Sequence, residues 1–240
     1  MKRVVLFLVI LATFAGPNTS RARIINVPTD SSSIQAGING AVDGDTVLVA
    51  RGHYYERINF LGKAIVVASN FTFDHDTVTV DSTTIDADTL VLGASDTGSV
   101  VVFGSYENSS SILEGFTLQN GSGTRGSGGG ICCYYAGPTI RNNRLRFNEA
   151  DGGGAIDCFH RSHPRITGNR VSENRADFGG AIRCDDFSCP VIESNVICGN
   201  FSKAYGGGIV CDDNSSPSIT RNLIANNWTG LGGIRGRYLL

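Results

Sequence analysis

Between Gly128 and Asn227 one pattern is written four times, and its step leaves little choice of fold. Glycine clusters lead into isoleucines at Ile131, Ile156, Ile182 and Ile209, so the steps are 25, 26 and 27 residues. Two places after each isoleucine stands a cysteine (Cys133, Cys158, Cys184, Cys211), then a proline (Pro138, Pro164, Pro190, Pro217) and a second isoleucine (Ile140, Ile166, Ile192, Ile219). An asparagine follows at 143, 169, 195 and 222, then an apolar residue (Leu145, Val171, Ile197, Ile224) and a closing asparagine at 148, 174, 200 and 227. A period of this length marks a solenoid, and no window within it has helical spacing. Short apolar pairs or singles separated by Gly, Pro and Asn read as three short strands per coil.

In a stack of parallel coils, equivalent residues lie ~4.8 Å apart and identical side chains form ladders. Isoleucine ladders then fill the core, glycines make the tight turns, and asparagines are expected to take the left-handed bends and bond to the next coil. No coil buries its apolar face alone, so the unit is stable only as an array.

On these residues, together with Asp43-Gly44-Asp45-Thr46-Val47-Leu48-Val49-Ala50, Gly62-Lys63-Ala64-Ile65 and Gly115-Phe116-Thr117-Leu118-Gln119-Asn120-Gly121, the chain resembles bacterial right-handed parallel β-helix repeat proteins, which share their fold with pectate lyases. The resemblance covers roughly residues 24 to 240. It implies an all-β right-handed parallel β-helix with a short amino-terminal capping helix. These motifs specify a scaffold, and a scaffold hosts many functions.

Residues 1–22 have the layout of a secretory signal peptide: Lys2-Arg3, an apolar run from Val4 to Ala15, then Gly16-Pro17-Asn18. Cleavage is expected after Ala15 or Ala22, which makes the protein secreted or displayed at the cell surface. The run is short of the ~20 residues that span a bilayer, and no later run is apolar enough. Residues 23–240 then form one elongated domain, with regular coils from about Ile112. A formal charge of −2 argues against a basic nucleic-acid surface. Sequons at Asn70, Asn108 and Asn214 matter only in a glycosylating host.

After a strand at Ile24-Ile25-Asn26-Val27, the segment Ser31 to Ala41 places Ile34, Ile38 and Ala41 at helical spacing, with Ser32 and Gln35 spaced as a capping box. Strand-like runs follow at Thr46–Val49, Ile65–Val67 and Val100–Phe103. Residues 69–99, rich in Asp, read as a long coil or as an excursion from the stack, with Thr84-Ile85-Asp86 returning to it, and Phe116 and Leu118 point inward. At the other terminus Gly232-Gly233-Ile234 opens a further coil without its proline or asparagine, so a truncated product, or a partner covering that end, is expected.

Seven cysteines in an exported chain invite disulfides. Cys133, Cys158, Cys184 and Cys211 instead share one inward column, where a reduced ladder of small apolar side chains is expected, because parallel neighbours make an awkward disulfide dihedral. Cys132, Cys189 and Cys198 lie off that column.

Stacking also brings distant residues together. After the cysteines come Tyr134, Phe159, Asp185 and Asp212, and one place further Tyr135, His160, Asp186 and Asp213. Tyr134, Tyr135, Phe159 and His160 offer a stacking surface to sugar rings, or pack for their own sake. Asp185, Asp186, Asp212 and Asp213 are either solvated turn residues or hard oxygen ligands of the kind that suits calcium. The resemblance to pectate lyases implies calcium on such carboxylates and a basic residue that abstracts the proton α to a uronate carboxylate; Arg183, beside Asp157, is the candidate for that catalytic role. His160 and His163 flank the turn before Pro164 and are expected to be exposed. Three readings follow: a protein that binds extracellular polysaccharide along its outer face without catalysis, a calcium-dependent polysaccharide lyase, and a structural or adhesive stalk.

Overall fold

The computed structural model describes residues 21–88, 98–123 and 128–230. The signal peptide expected over 1–22, but for its last two residues, and the coil opening at Gly232 lie outside the described residues. Among the described residues no helix is long and apolar enough to cross a membrane.

From Ile131 onward each coil is four strands, the first being Ile131–Tyr134, Thr139–Arg141, Arg144–Arg146 and Glu149–Gly152. Each strand pairs in parallel with its equivalent one coil on, as Ile131 does with Ile156 and Ile140 with Ile166. The result is four sheets wound as a parallel β-helix, numbered here in the order a coil visits them: among the described residues sheet 1 has six strands, sheet 2 eight, sheet 3 seven and sheet 4 five. The expected three strands per coil are therefore one too few. The fourth, Glu149-Ala150-Asp151-Gly152, turns only small residues inward, and its column continues as Ala176 and Ser202. Side chains that small carry no hydropathic signal.

Inside, the ladders fall as the repeat dictates. Ile131, Ile156, Ile182 and Ile209 are in register, as are Leu118, Leu145, Val171, Ile197 and Ile224. The cysteine column is capped towards the amino end by Phe103, whose ring packs on Phe60 at 4.3 Å. No two of the cysteines are bonded to each other; Cys133, Cys158 and Cys184 are buried in the column, while Cys211, at its carboxy-terminal end, is exposed. Burial raises the Cys133 thiol above its ordinary pKa, and Cys132, outward on its strand yet covered, is pushed up to about 11.

Two asparagine ladders close the bends on either side of sheet 3. Asn143 N–H donates to Asn169 Oδ1 at 2.9 Å, and Asn169 Nδ2 donates to the Ile140 carbonyl at 2.9 Å. The same pattern runs through Asn195 and Asn222, and through Asn148, Asn174, Asn200 and Asn227. The ladder asparagines do not themselves take the left-handed conformation expected of them. The preceding residue does: Asn142, Phe147, Glu173, Ser194, Arg221 and Asn226, with φ of 53° to 61°. The amide must point into the bend to reach two coils, so the strain moves to a neighbour whose side chain points out. A third ladder escaped the sequence reading: Ser162 N–H donates to Ser188 Oγ and Ser188 N–H to Ser215 Oγ, both at 3.0 Å, at the turn from sheet 1 to sheet 2.

The amino end is closed by the helix Ile34–Gly40, which buries Ile34, Gly37 and Ile38. The expected capping box at Ser32 and Gln35 is not formed. Ser33 is the N-cap, accepting from Ala36 N at 3.1 Å, and the Glu56 carboxylate accepts from the N–H groups of Ile34 and Gln35 at 3.0 and 2.9 Å. A carboxylate from a neighbouring coil satisfies the helix donors, and local spacing cannot reveal it. The excursion after Ser69 is two short helices, Phe71–Asp74 and Thr77–Ser82, before Thr83–Asp86 rejoins sheet 3. Buried Asp86 is satisfied there by His53, Gln119 and Asn120 at 2.7, 2.7 and 2.8 Å.

Replacing Asn169 by Ala orphans a backbone donor and a backbone acceptor in the middle of the stack, and should lower the unfolding free energy by about 3 kcal/mol in urea denaturation. The same change at part-buried Asn222 should cost less. In thiol labelling of the native protein, exposed Cys189 should react first, while Cys133, Cys158 and Cys184 should react only on unfolding.

Candidate functional site on sheet 1

The outer face of sheet 1 carries the columns the sequence brings together. Tyr134 stands in register with Phe159. Asp185 and Asp212 continue that column, each donating its N–H to a cysteine carbonyl one coil back, Cys158 and Cys184, at 2.9 Å. Tyr135, His160, Asp186 and Asp213 form the next column and are all left-handed, with φ between 41° and 50°. Four coils repeat this strained corner, and just past the first three a serine of the next coil accepts a backbone N–H, from Ala136, Ser162 and Ser188. Ser162 Oγ accepts from Ala136 N at 3.2 Å and lies 2.7 Å from the Phe159 carbonyl.

The corner gathers the expected aromatic residues into one cluster. Tyr135 stacks on His160 with ring centroids 5.2 Å apart and 11° between planes, and Tyr134 stands edge-on to both, at 84° and 79°. The Phe159 ring lies 3.9 Å from His160. Tyr106, 78% exposed, extends the stack beyond Tyr135 at 5.9 Å. It belongs to an irregular coil outside the four-fold repeat, so no register in the sequence pointed to it.

The charged residues divide. Arg183 pairs with Asp185, and its Nη1 lies 3.9 Å from Asp157 Oδ2. Its guanidinium carbon sits 5.6 Å from the Phe159 ring centre. His160 Nδ1 bonds to Asp186. Asp212 and Asp213 are exposed, and His163 is exposed with Nδ1 accepting from Cys189 N at 3.1 Å. The four carboxylates thus lie on neighbouring coils, but two are engaged by Arg183 and His160. Among the described residues no group of three or more His, Cys, Asp or Glu side chains is gathered to hold a metal ion.

Asp157 is the anomaly. It is fully buried, in register with Cys132 and Arg183, and neither carboxylate oxygen has a hydrogen-bond partner. Burial pushes its carboxyl up to about 6 against the pull of Arg183. The glycine turn explains the burial, because a side-chain carbon on Gly153 would sit 2.8 Å from Asp157 Cα and one on Gly152 2.2 Å from Arg183 Nη1. The turn from sheet 4 folds tightly over the first outward position of sheet 1.

Stacked coils of parallel strands closed by asparagine ladders define a parallel β-helix repeat protein. The family described as a right-handed beta helix region matches residues 74–236, more than half of the chain, and the protein belongs to it. No curated protein matches the sequence.

The folded pKa of Asp157 lies above the ~3.9 of an unfolded aspartate. The folded state therefore holds the extra proton, and the group begins to destabilise the fold as pH rises above about 4. The penalty is complete above about 6, at roughly 3 kcal/mol. Asp157→Asn should gain about that much on the wild type in urea denaturation between pH 4 and pH 7. A pH-independent difference would remove this account of the group.

Proposed function

We propose that the protein is an exported β-helix repeat protein that binds polysaccharide through the outer face of sheet 1 without catalysis. The carrying observation is the exposed ring cluster, with Tyr106 at 78% and Tyr134 and Tyr135 each at 39% exposure, on a rigid scaffold of buried ladders. Rings in two orientations offer apolar faces to the C–H faces of sugars, and the neighbouring polar groups are already fixed by pairing. The arrangement costs little ordering on binding, because backbone hydrogen bonds hold the turn that carries Tyr135 and His160. Export rests on the charged, apolar, then polar layout of residues 1–22.

The rival reading is a calcium-dependent lyase with Asp185, Asp186, Asp212 and Asp213 as ligands and Arg183 as base. It requires Arg183 to leave its contact with Asp185, and Asp186 to leave His160. The stalk reading requires no ligand at all.

Calorimetry of the full chain against a panel of oligosaccharides, with and without calcium, separates these. Binding is expected without calcium, and Tyr134→Ala with Tyr135→Ala should weaken it at least tenfold while leaving the circular dichroism unchanged. Release of unsaturated uronate ends on adding calcium would establish the lyase instead. Heat that is unchanged by the double variant would remove sheet 1 as the binding face.

A further inference from the structure

We infer that the outer face of sheet 4 is a second stacking surface for the same extended glycan, and that this glycan is uncharged. The inference rests on the binding role proposed for sheet 1, and its evidence lies on a sheet the repeat did not announce. Exposed rings stand in two columns of sheet 4. One passes outward from Glu149 to Arg175, Phe201 and Trp228, and the other begins at buried Gly152 and emerges at Phe178 and Tyr205. Phe178, Tyr205 and Trp228 are 43%, 62% and 46% exposed, and the Phe178 and Tyr205 rings stack with centroids 6.2 Å apart. Adjoining aromatic side chains left in water on successive coils mark a surface that something covers.

The charges on this face say what kind of partner it takes. Arg175 lies 4.6 Å over the Phe201 ring and 3.7 Å from the Glu149 carboxylate. Lys203, on the strand whose register shifts by a bulge, reaches Asp177 at 2.6 Å. Each of these cations has a carboxylate of its own, so they do not form a basic strip for an acidic polymer. What is offered is rings separated by paired charges whose remaining hydrogen-bonding capacity suits hydroxyl groups.

The spacing favours a polymer. Rings stand on three successive coils, Phe178 on the first, Phe201 with Tyr205 on the second and Trp228 on the third, so a glycan lying along the helix axis meets aromatic side chains over three steps of the ~4.8 Å coil repeat. The two surfaces also adjoin. Gly152, in the Phe178 and Tyr205 column, abuts Arg183, which in turn faces Phe159 of the sheet 1 cluster.

The chain has one tryptophan, and it stands on this face, so its emission reports on sheet 4 alone. The full chain is titrated with cellohexaose, xylohexaose, mannohexaose and hexagalacturonate, following tryptophan emission and heat in parallel. The expected result is a saturable change of Trp228 emission with at least one neutral hexaose. That change should weaken at least tenfold in Phe178→Ala with Tyr205→Ala, and in Tyr134→Ala with Tyr135→Ala it should keep its full amplitude but at sugar concentrations at least tenfold higher. Both double variants change exposed side chains, and circular dichroism checks their folding. Heat without a change of emission would overturn the second surface and leave sheet 1 as the binding face. A response to hexagalacturonate alone would overturn the uncharged ligand. Absence of both heat and response for all four sugars would overturn the inference and the binding role together. Emission that shifts with protein concentration in the absence of sugar would assign the face to a second copy of the chain and overturn the inference.

Discussion

Every part of this molecule depends on keeping its coils in vertical register, and the buried asparagine amides enforce that register at the bends. A sheet ladder satisfies backbone groups along a strand, but each bend between sheets turns backbone donors and acceptors into the core, where an unpaired group costs about 1–3 kcal/mol. Asn169, Asn195 and Asn222 answer this by accepting from a backbone N–H and donating to a backbone carbonyl of the coil before, and each amide from Asn143 to Asn195 also donates to the next asparagine of its ladder. Slipping a coil by one residue would break both contacts and turn an isoleucine ladder outward. The left-handed residues before these asparagines are a strain the amide contacts offset.

Because register is enforced from inside, the outer face is free to vary. Inward positions of sheet 1 read Ile, Ile, Ile, Ile and Cys, Cys, Cys, Cys, whereas the outward position between them reads Cys132, Asp157, Arg183 and Val210. Four chemistries occupy one column. Opposite charges on successive coils then pair across the stack, as Arg183 does near Asp157, Arg141 with Glu114 and Arg165 with Glu193. Asp157 is the place where pairing stays incomplete, since the glycine turn excludes water before its oxygens find donors. Its raised carboxyl is the physical mark of that conflict.

The fold and the aromatic columns were legible because the spacing of identical residues states which ones stack. Tyr134 meets Phe159, and Tyr135 meets His160, for the same reason that Cys133 meets Cys158. What escaped has a physical cause in each case. Ala150, Ala176 and Ser202 are too small to mark a strand. Glu56 caps the helix at Ile34 from a separate coil. Tyr106 lies outside the repeat, and Phe178 with Tyr205 became neighbours only once the fourth sheet existed.

The sequence by itself determined the coil length, the core ladders and the family of the fold, since a periodic chain carries its contact map in its period. The tertiary structure alone decided where each outward side chain goes. It sent Asp185 to Arg183 and Asp186 to His160, buried Asp157 beneath a glycine turn, and set a second row of rings on sheet 4. Those outcomes depend on how tightly each corner folds and on which side chains share its space, and a repeat pattern specifies neither.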